Sequence, residues 1–94
     1  MADILNDEQV DAALQRLPEW RREQGMLRRR VDAGSFLEAI GLVNRIAALA
    51  ERADHHPDID IRWRRLELGL VTHSAGGITA KDLSLAGEIE QTIA

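Results

Sequence analysis

One proline divides this chain into two kinds of pattern. Between Ser35 and Asp54 the apolar residues recur at helical spacing, whereas beyond Pro57 they recur at every second residue. Pro57 has no backbone N–H, and its ring keeps the residue before it out of the α region, so the helix must finish near His55. A long helix therefore gives way to strands within a few residues, and the fold has to accommodate both.

The helix before Pro57 is the best-defined element. Ser35 can cap it while Glu38, three residues on, reaches back to complete a capping box. At about 100° per residue, Phe36, Ala39, Ile40, Val43, Ala47 and Ala50 share one sector, and Leu42, Ile46, Leu49 and Ala53 widen it to nearly half the circumference. Glu38, Arg45 and Arg52 remain as a polar ridge. An apolar face that wide exceeds what one side of a small sheet covers, which implies a second partner surface such as another copy of the chain. After Pro57, Ile59, Ile61 and Trp63 alternate with Asp60 and Arg62, and Leu66, Leu68, Leu70 and Thr72 alternate with Glu67, Gly69, Val71 and His73. Two strands follow, with His73 at the end of the second.

The remaining elements complete a symmetrical order. Asn6 with Gln9 offers a capping box ahead of Val10, Ala13, Leu14 and Leu17, so a short helix is predicted over about residues 7 to 17, where Pro18 interrupts. Gln24-Gly25 sits midway between two candidate strands in the stretch from Glu19 to Asp32. Ala75-Gly76-Gly77 reads as a loop, and Thr79 with Asp82 as a third capping box before Leu85, Ala86, Ile89 and Ile93. The order is α-β-β-α-β-β-α, which suits an α+β domain: a four-stranded antiparallel sheet with the helices on one face.

Composition narrows the functional classes. With 94 residues, 45% of them hydrophobic, the chain suits a single domain over 1–94 with one core. It has no cysteine, which removes disulfides, thiolate metal sites and cysteine nucleophiles together. No apolar run approaches a membrane span, and Met1 to Asp7, with two acids and no long apolar stretch, does not resemble a secretory leader, so a soluble, cytoplasmic protein is expected. Twelve basic against sixteen acidic groups disfavour attraction to phosphate backbones. Arg28, Arg29 and Arg30 form the one basic run, read as a guard against strand-edge pairing or as a solvated face. With only Trp20, Phe36 and Trp63 as aromatics there is no stacking platform for bases, and no nucleic-acid partner is expected.

The chemistry concentrates in the histidines. His55 and His56 are adjacent at the end of the long helix, and His73 follows on the last strand. Glu51 lies one turn before His55 and only about 40° around the helix, placed to hold an imidazole nitrogen and fix its tautomer. Such a set offers an acid and a base near neutral pH without a metal. Each residue also has a plainer role: Asp54-His55-His56-Pro57 is a common way to end a helix, Glu51 suits a solvated helix face, Asp82 suits a cap, and Trp20 and Trp63 suit core or interface filling. Three imidazoles could bind zinc, but adjacent side chains diverge where helical ligands usually stand four apart.

Glu51, three residues, His55-His56-Pro57, five residues, Trp63, nine residues, His73, eight residues, Asp82: this pattern resembles the signature of the pterin-4a-carbinolamine dehydratases, also called 4a-hydroxytetrahydrobiopterin dehydratases. The resemblance extends over nearly the whole chain, as for a complete family member. Ile59 stands where many relatives carry an aromatic residue, which alters the pocket wall, and Trp63 stands where many carry tyrosine, which keeps an aromatic ring.

The resemblance implies three helices on one side of a four-stranded antiparallel sheet, assembled as a dimer or tetramer. It implies a lyase that removes water from the 4a-carbinolamine of a tetrahydropterin to give the quinonoid dihydropterin, in recycling after an aromatic amino acid hydroxylase has used the pterin. The pterin is the substrate, and no metal or bound cofactor is needed. On this reading His55, oriented by Glu51, and His56 handle proton transfer and His73 completes the acid and base set, with neither role tied to one ring by spacing. Asp54 and the strand end at Val71, Thr72, His73 and Ser74 are candidate pterin contacts. Some relatives are dimerisation cofactors that bind a helical segment of a transcription factor, which gives a second class of function, and a pterin binder without important turnover is a third.

Overall fold

The computed structural model describes residues 3–93. Met1, Ala2 and Ala94, which are the ends of the stretch read as one domain and, for the first two, part of the segment compared with a leader, lie outside the described residues. In chain order the elements are α1 (Asp7–Leu14), β1 (Arg21–Glu23), β2 (Met26–Asp32), α2 (Phe36–Ala53), β3 (Asp58–Arg62), β4 (Arg65–Leu70) and α3 (Ala80–Ile93). All strand pairs are antiparallel and the sheet order is β1-β2-β4-β3. The helices lie on one face, so the α+β architecture read from the sequence is the fold.

Period-two alternation decides which face is covered. Leu27 and Val31 of β2 and Leu66, Leu68 and Leu70 of β4 point to the helices and are buried. They pack with Val10 of α1, Ala39, Leu42 and Ile46 of α2, and Leu85, Ala86 and Ile89 of α3. The opposite face carries charge: Glu67 of β4 hydrogen-bonds Arg21 of β1 and lies 3.6 Å from Arg28 and 3.8 Å from Arg30 of β2. β2 lies inside the sheet, but β1 pairs only with Met26–Arg28, so Arg28 faces a partner strand while Arg29 and Arg30 lie beyond the end of β1, where Arg29 Nη1 donates to Arg30 O. Arg28 and Arg30 occupy the open face, and Arg29 turns to the helices, where Glu90 of α3 accepts from its Nε at 2.5 Å and from Trp20 Nε1 at 2.8 Å. Trp20 is buried, as its core-filling reading requires.

Local chemistry sets the boundaries. Asn6 accepts from Gln9 N at 2.8 Å and the Gln9 side chain accepts from Asn6 N at 2.9 Å, completing the first capping box. α1 stops at Leu14 rather than near Leu17: residue 17 precedes a proline, and the chain closes in i→i−3 bonds from Arg16 N to Ala13 O and Leu17 N to Leu14 O. Gln24 and Gly25 both have positive φ, the requirement of a tight type I′ hairpin, and join β1 to β2. Ser35 caps α2 by accepting from Glu38 N at 3.1 Å, while the Glu38 carboxylate lies over Gly34 rather than on Ser35 N.

Two further boundaries differ from expectation. Trp63 is not in β3 but in the turn to β4, at a φ of 56°, with its side chain largely exposed. That conformation is costly for a bulky residue and is held by the turn's pairing with the segment before α2: Ala33 N donates to Arg64 O at 2.8 Å, and Arg64 Nη1 donates to Ala33 O at 2.9 Å. β4 ends at Leu70, because Thr72 pairs with Gly77 across a tight loop that includes Gly76 at a φ of 82°. His73 is therefore in a turn and not on a strand.

α2 buries Ala39, Leu42, Ile46 and Ala50. That stripe is narrower than the helix's apolar arc, and Phe36 and Leu37 are left exposed, Leu37 by 79%. No helix among the described residues is long and apolar enough to cross a membrane.

Candidate active site

The site begins where α2 ends. Asp54 adopts the left-handed conformation, a strain that aspartate tolerates better than most residues, and its N–H together with that of His55 closes the last turn on Glu51 O and Ala50 O. This reversal carries the next two residues off the helical path in different directions. His55 crosses to α3, where its Nε2 lies 2.5 Å from Asp82 Oδ1, and its side chain is only 12% exposed. His56 folds back over the last turn of α2, with its Nε2 2.5 Å from Glu51 Oε2 and both side chains mostly in solvent. The carboxylate at Glu51 thus holds His56 and not His55, contrary to expectation, because a rotation angle measured along a straight helix no longer applies beyond Asp54.

Asp82 is fully buried and its two oxygens do different things. Oδ2 accepts from Thr79 N at 2.9 Å, which is half of the expected capping box, and from Thr72 Oγ1 at 2.8 Å. The other half is altered, since Thr79 Oγ1 accepts from Lys81 N at 3.2 Å rather than from the third residue of the helix. Thr72 has one hydroxyl proton and gives it to Asp82, so Thr79 Oγ1, 2.8 Å away, is the donor to Thr72. Oδ2 thus has two donors, and a carboxylate accepts only, through Oδ1 as through Oδ2. With Asp82 accepting, His55 carries a proton on Nε2, and its Nδ1 has no hydrogen-bond partner among the described residues.

The structure brings together His55, Asp82, Thr72 and Thr79 from α2's end, α3 and the loop between β4 and α3. His56 and Glu51 form a separate exposed pair, and His73 is exposed in the turn beyond Thr72, hydrogen-bonded to neither of the other imidazoles. Asp54 and Ser74 are exposed, and Val71 is half-buried. Among the described residues no group of three or more histidine, cysteine or acidic side chains is placed to hold a metal ion.

A cavity of about 350 Å³ opens beside His55, between Ala53 at the end of α2 and Ala80, Lys81, Ser84, Leu85 and Glu88 of α3. His56, His73 and Glu51 are not in its wall. Sequence reasoning took Asp82 as a cap and did not consider Ser84 or Glu88. The signals were there in part: Asp82 closes the spaced histidine pattern, and Lys81, Ser84 and Glu88 recur at the spacing of one helix face.

Comparison with known proteins agrees with this architecture. Residues 3–92 match the family model described as pterin 4 alpha carbinolamine dehydratase. A protein of Mycolicibacterium smegmatis, provisionally named pterin-4-alpha-carbinolamine dehydratase, is 54% identical over 90 residues, 96% of each chain. One of Nocardia farcinica with the same provisional name is 54% identical over 89 residues, covering 95% of this chain and 94% of its own. Among solved structures, a transcriptional coactivator/pterin dehydratase from Brucella melitensis superposes with a TM-score of 0.93 at 26% identity, over 98% of this chain and all of its own. A pterin dehydratase-like RuBisCO assembly factor of the alpha-carboxysome shares the fold, with a TM-score of 0.67 at 22% identity over 79% of this chain and 88% of its own. Family model, curated relatives and the spaced Glu51-to-Asp82 pattern point the same way: the chain belongs to the pterin 4 alpha carbinolamine dehydratase family.

Proposed function

We propose that this protein is a hydro-lyase that dehydrates 4a-hydroxytetrahydropterin to the quinonoid dihydropterin by histidine acid/base catalysis without a metal. In the reaction the C4a–O bond breaks as the hydroxyl takes a proton and leaves as water. The N5 lone pair closes a C4a=N5 double bond, and the N5 proton passes to a base. One proton is delivered and one removed on neighbouring atoms, so a group that titrates near neutral pH serves both steps.

The observation that supports this reading is the buried Asp82 carboxylate holding His55 Nε2 at the edge of a cavity large enough for a small heterocycle. Asp82 fixes the tautomer and the ring's orientation, leaving Nδ1 to exchange protons with substrate. His55 is the main proton carrier in this account. His56 with Glu51, and His73, remain the other members of the acid and base set, and Asp54 with Val71, Thr72, His73 and Ser74 the second group of ring contacts. The pterin is substrate and no cofactor is required.

The setting follows from the same family reading: a cytoplasmic homo-oligomer, dimer or tetramer, that regenerates pterin used by an aromatic amino acid hydroxylase. The exposed Phe36 and Leu37 support self-association. They also support a second reading, prompted by the coactivator name of the Brucella melitensis protein, in which α2 docks a helical segment of a transcription factor. A pull-down yielding only the chain itself favours the enzyme.

The test is dehydration of a synthetic carbinolamine followed from about pH 5 to about pH 9. A bell-shaped profile is expected. Tight pterin binding without acceleration would contradict the enzyme and leave a binder.

A further inference from the structure

The α3 wall of the cavity has chemistry that the proton-transfer account does not use. Lys81, Ser84 and Glu88 stand at i, i+3 and i+7, on one face of the helix, over the buried side chain of Leu85. None of the three side chains makes a hydrogen bond or ion pair with a described residue, whereas Glu90, two positions on, is committed to Trp20 and Arg29. Lys81 and Glu88 are two turns apart, roughly 10 Å along the axis, and so do not neutralise each other. A cation, a hydroxyl and a carboxylate with no internal partner thus face a cavity whose other wall is the reacting imidazole.

Building on the dehydratase reading, we infer that Glu88 is a specificity-determining residue that recognises the 2-amino-4-oxo edge of the pterin ring, with Ser84 and Lys81 beside it. The pterin's N3–H and 2-amino group are two parallel donors on one edge. A carboxylate is the side chain that accepts both at once, in a charge-assisted pair. Lys81 is the residue next to Asp82 and so lies at the His55 end of the row, where its ammonium meets the 4-oxo oxygen, adjacent to the C4a centre at which the hydroxyl leaves. The apolar floor of Ala53, Ala80 and Leu85 suits the flat faces of the ring. Glu88 acts on binding and orientation and His55 on the proton, so the two are separable in kinetics.

The experiment compares wild type, Glu88→Gln and a control, Glu8→Gln, on the exposed surface of α1. It measures KM and kcat for carbinolamine dehydration, and the binding of a 7,8-dihydropterin against the matching 7,8-dihydrolumazine, which has oxygen in place of the 2-amino group. Glu88→Gln is expected to raise KM by about tenfold or more with kcat changed by less than about threefold, and to abolish the wild type's preference for pterin over lumazine. The control is expected to change neither. Wild-type KM and preference in Glu88→Gln would overturn this inference while leaving the dehydratase reading intact. A wild-type chain that neither dehydrates the carbinolamine nor binds the pterin would overturn both, and the two failures are told apart by that wild-type measurement.

Discussion

Two adjacent histidines leave the end of α2 and meet opposite environments. His55 is largely shielded, tied to a carboxylate that no water reaches and that the Thr72 hydroxyl and the Thr79 backbone amide also hold. His56 meets Glu51 at the same 2.5 Å, but that pair is 57% and 77% exposed. Equal distances do not mean equal consequences. A solvated pair is screened by water and loses side-chain entropy in forming, so it contributes at most about 1 kcal/mol. A buried network is held by every member at once, and removing one partner leaves the others desolvated and unsatisfied.

The sharpest way to break this comparison is to delete each ring. His55→Ala is expected to lower kcat by about a hundredfold or more, and His56→Ala by less than about tenfold, in the dehydration assay. The reverse order would place the chemistry on the solvated pair. Next in size, Asp82→Asn keeps the side chain's shape but lets an amide donate to His55 Nε2, which moves the ring proton to Nδ1 and removes the base. Turnover is expected to fall by about tenfold or more, with pterin affinity nearly unchanged.

Stability provides smaller contrasts. Thr72→Val removes the donor to Asp82 Oδ2 and the acceptor for Thr79, and is expected to cost about 1–3 kcal/mol. In a domain this size, each kcal/mol lowers Tm by roughly 4–8 °C in a thermal melt. Glu51→Gln, on the exposed side, is expected to shift Tm by no more than a few degrees.

The smallest effect lies far from the site. Arg22 Nε and Nη2 donate to Asp11 at 3.0 and 3.1 Å, and this hydrogen bonding holds the Asp11 carboxyl below its ordinary value. A carboxyl lowered on folding stabilises the folded state above its unfolded pKa, and that contribution is lost as pH falls through the lower folded value. Arg22→Met should return Asp11 to the ordinary carboxylate range in an NMR titration and flatten that acid-side dependence.

Much of this architecture was legible because it is local. The Asn6 and Gln9 box, the Gln24-Gly25 turn and the alternation of Leu66, Leu68 and Leu70 each depend on a few neighbouring residues, and each forms as the pattern requires. The pairing of the histidines was not local. Glu51 sits on the face that a continued helix would give to His55, but the left-handed turn at Asp54 redirects the chain, and no periodicity encodes that angle. Asp82 was hidden for a different reason. A helix-capping carboxylate needs only one oxygen for the backbone, and the second, which meets His55, is invisible to a rule satisfied by the first. Glu88 and Ser84 looked like ordinary helix surface until the end of α2 supplied the opposite wall.

The central claim is that Asp82 acts through His55 to move protons on the pterin. A double-mutant cycle in dehydration turnover addresses it directly, comparing wild type, Asp82→Asn, His55→Ala and the pair. The account predicts that Asp82→Asn slows the wild-type chain but adds almost nothing once His55 is gone. Independent, multiplicative losses, or a His55→Ala chain as fast as wild type, would contradict it.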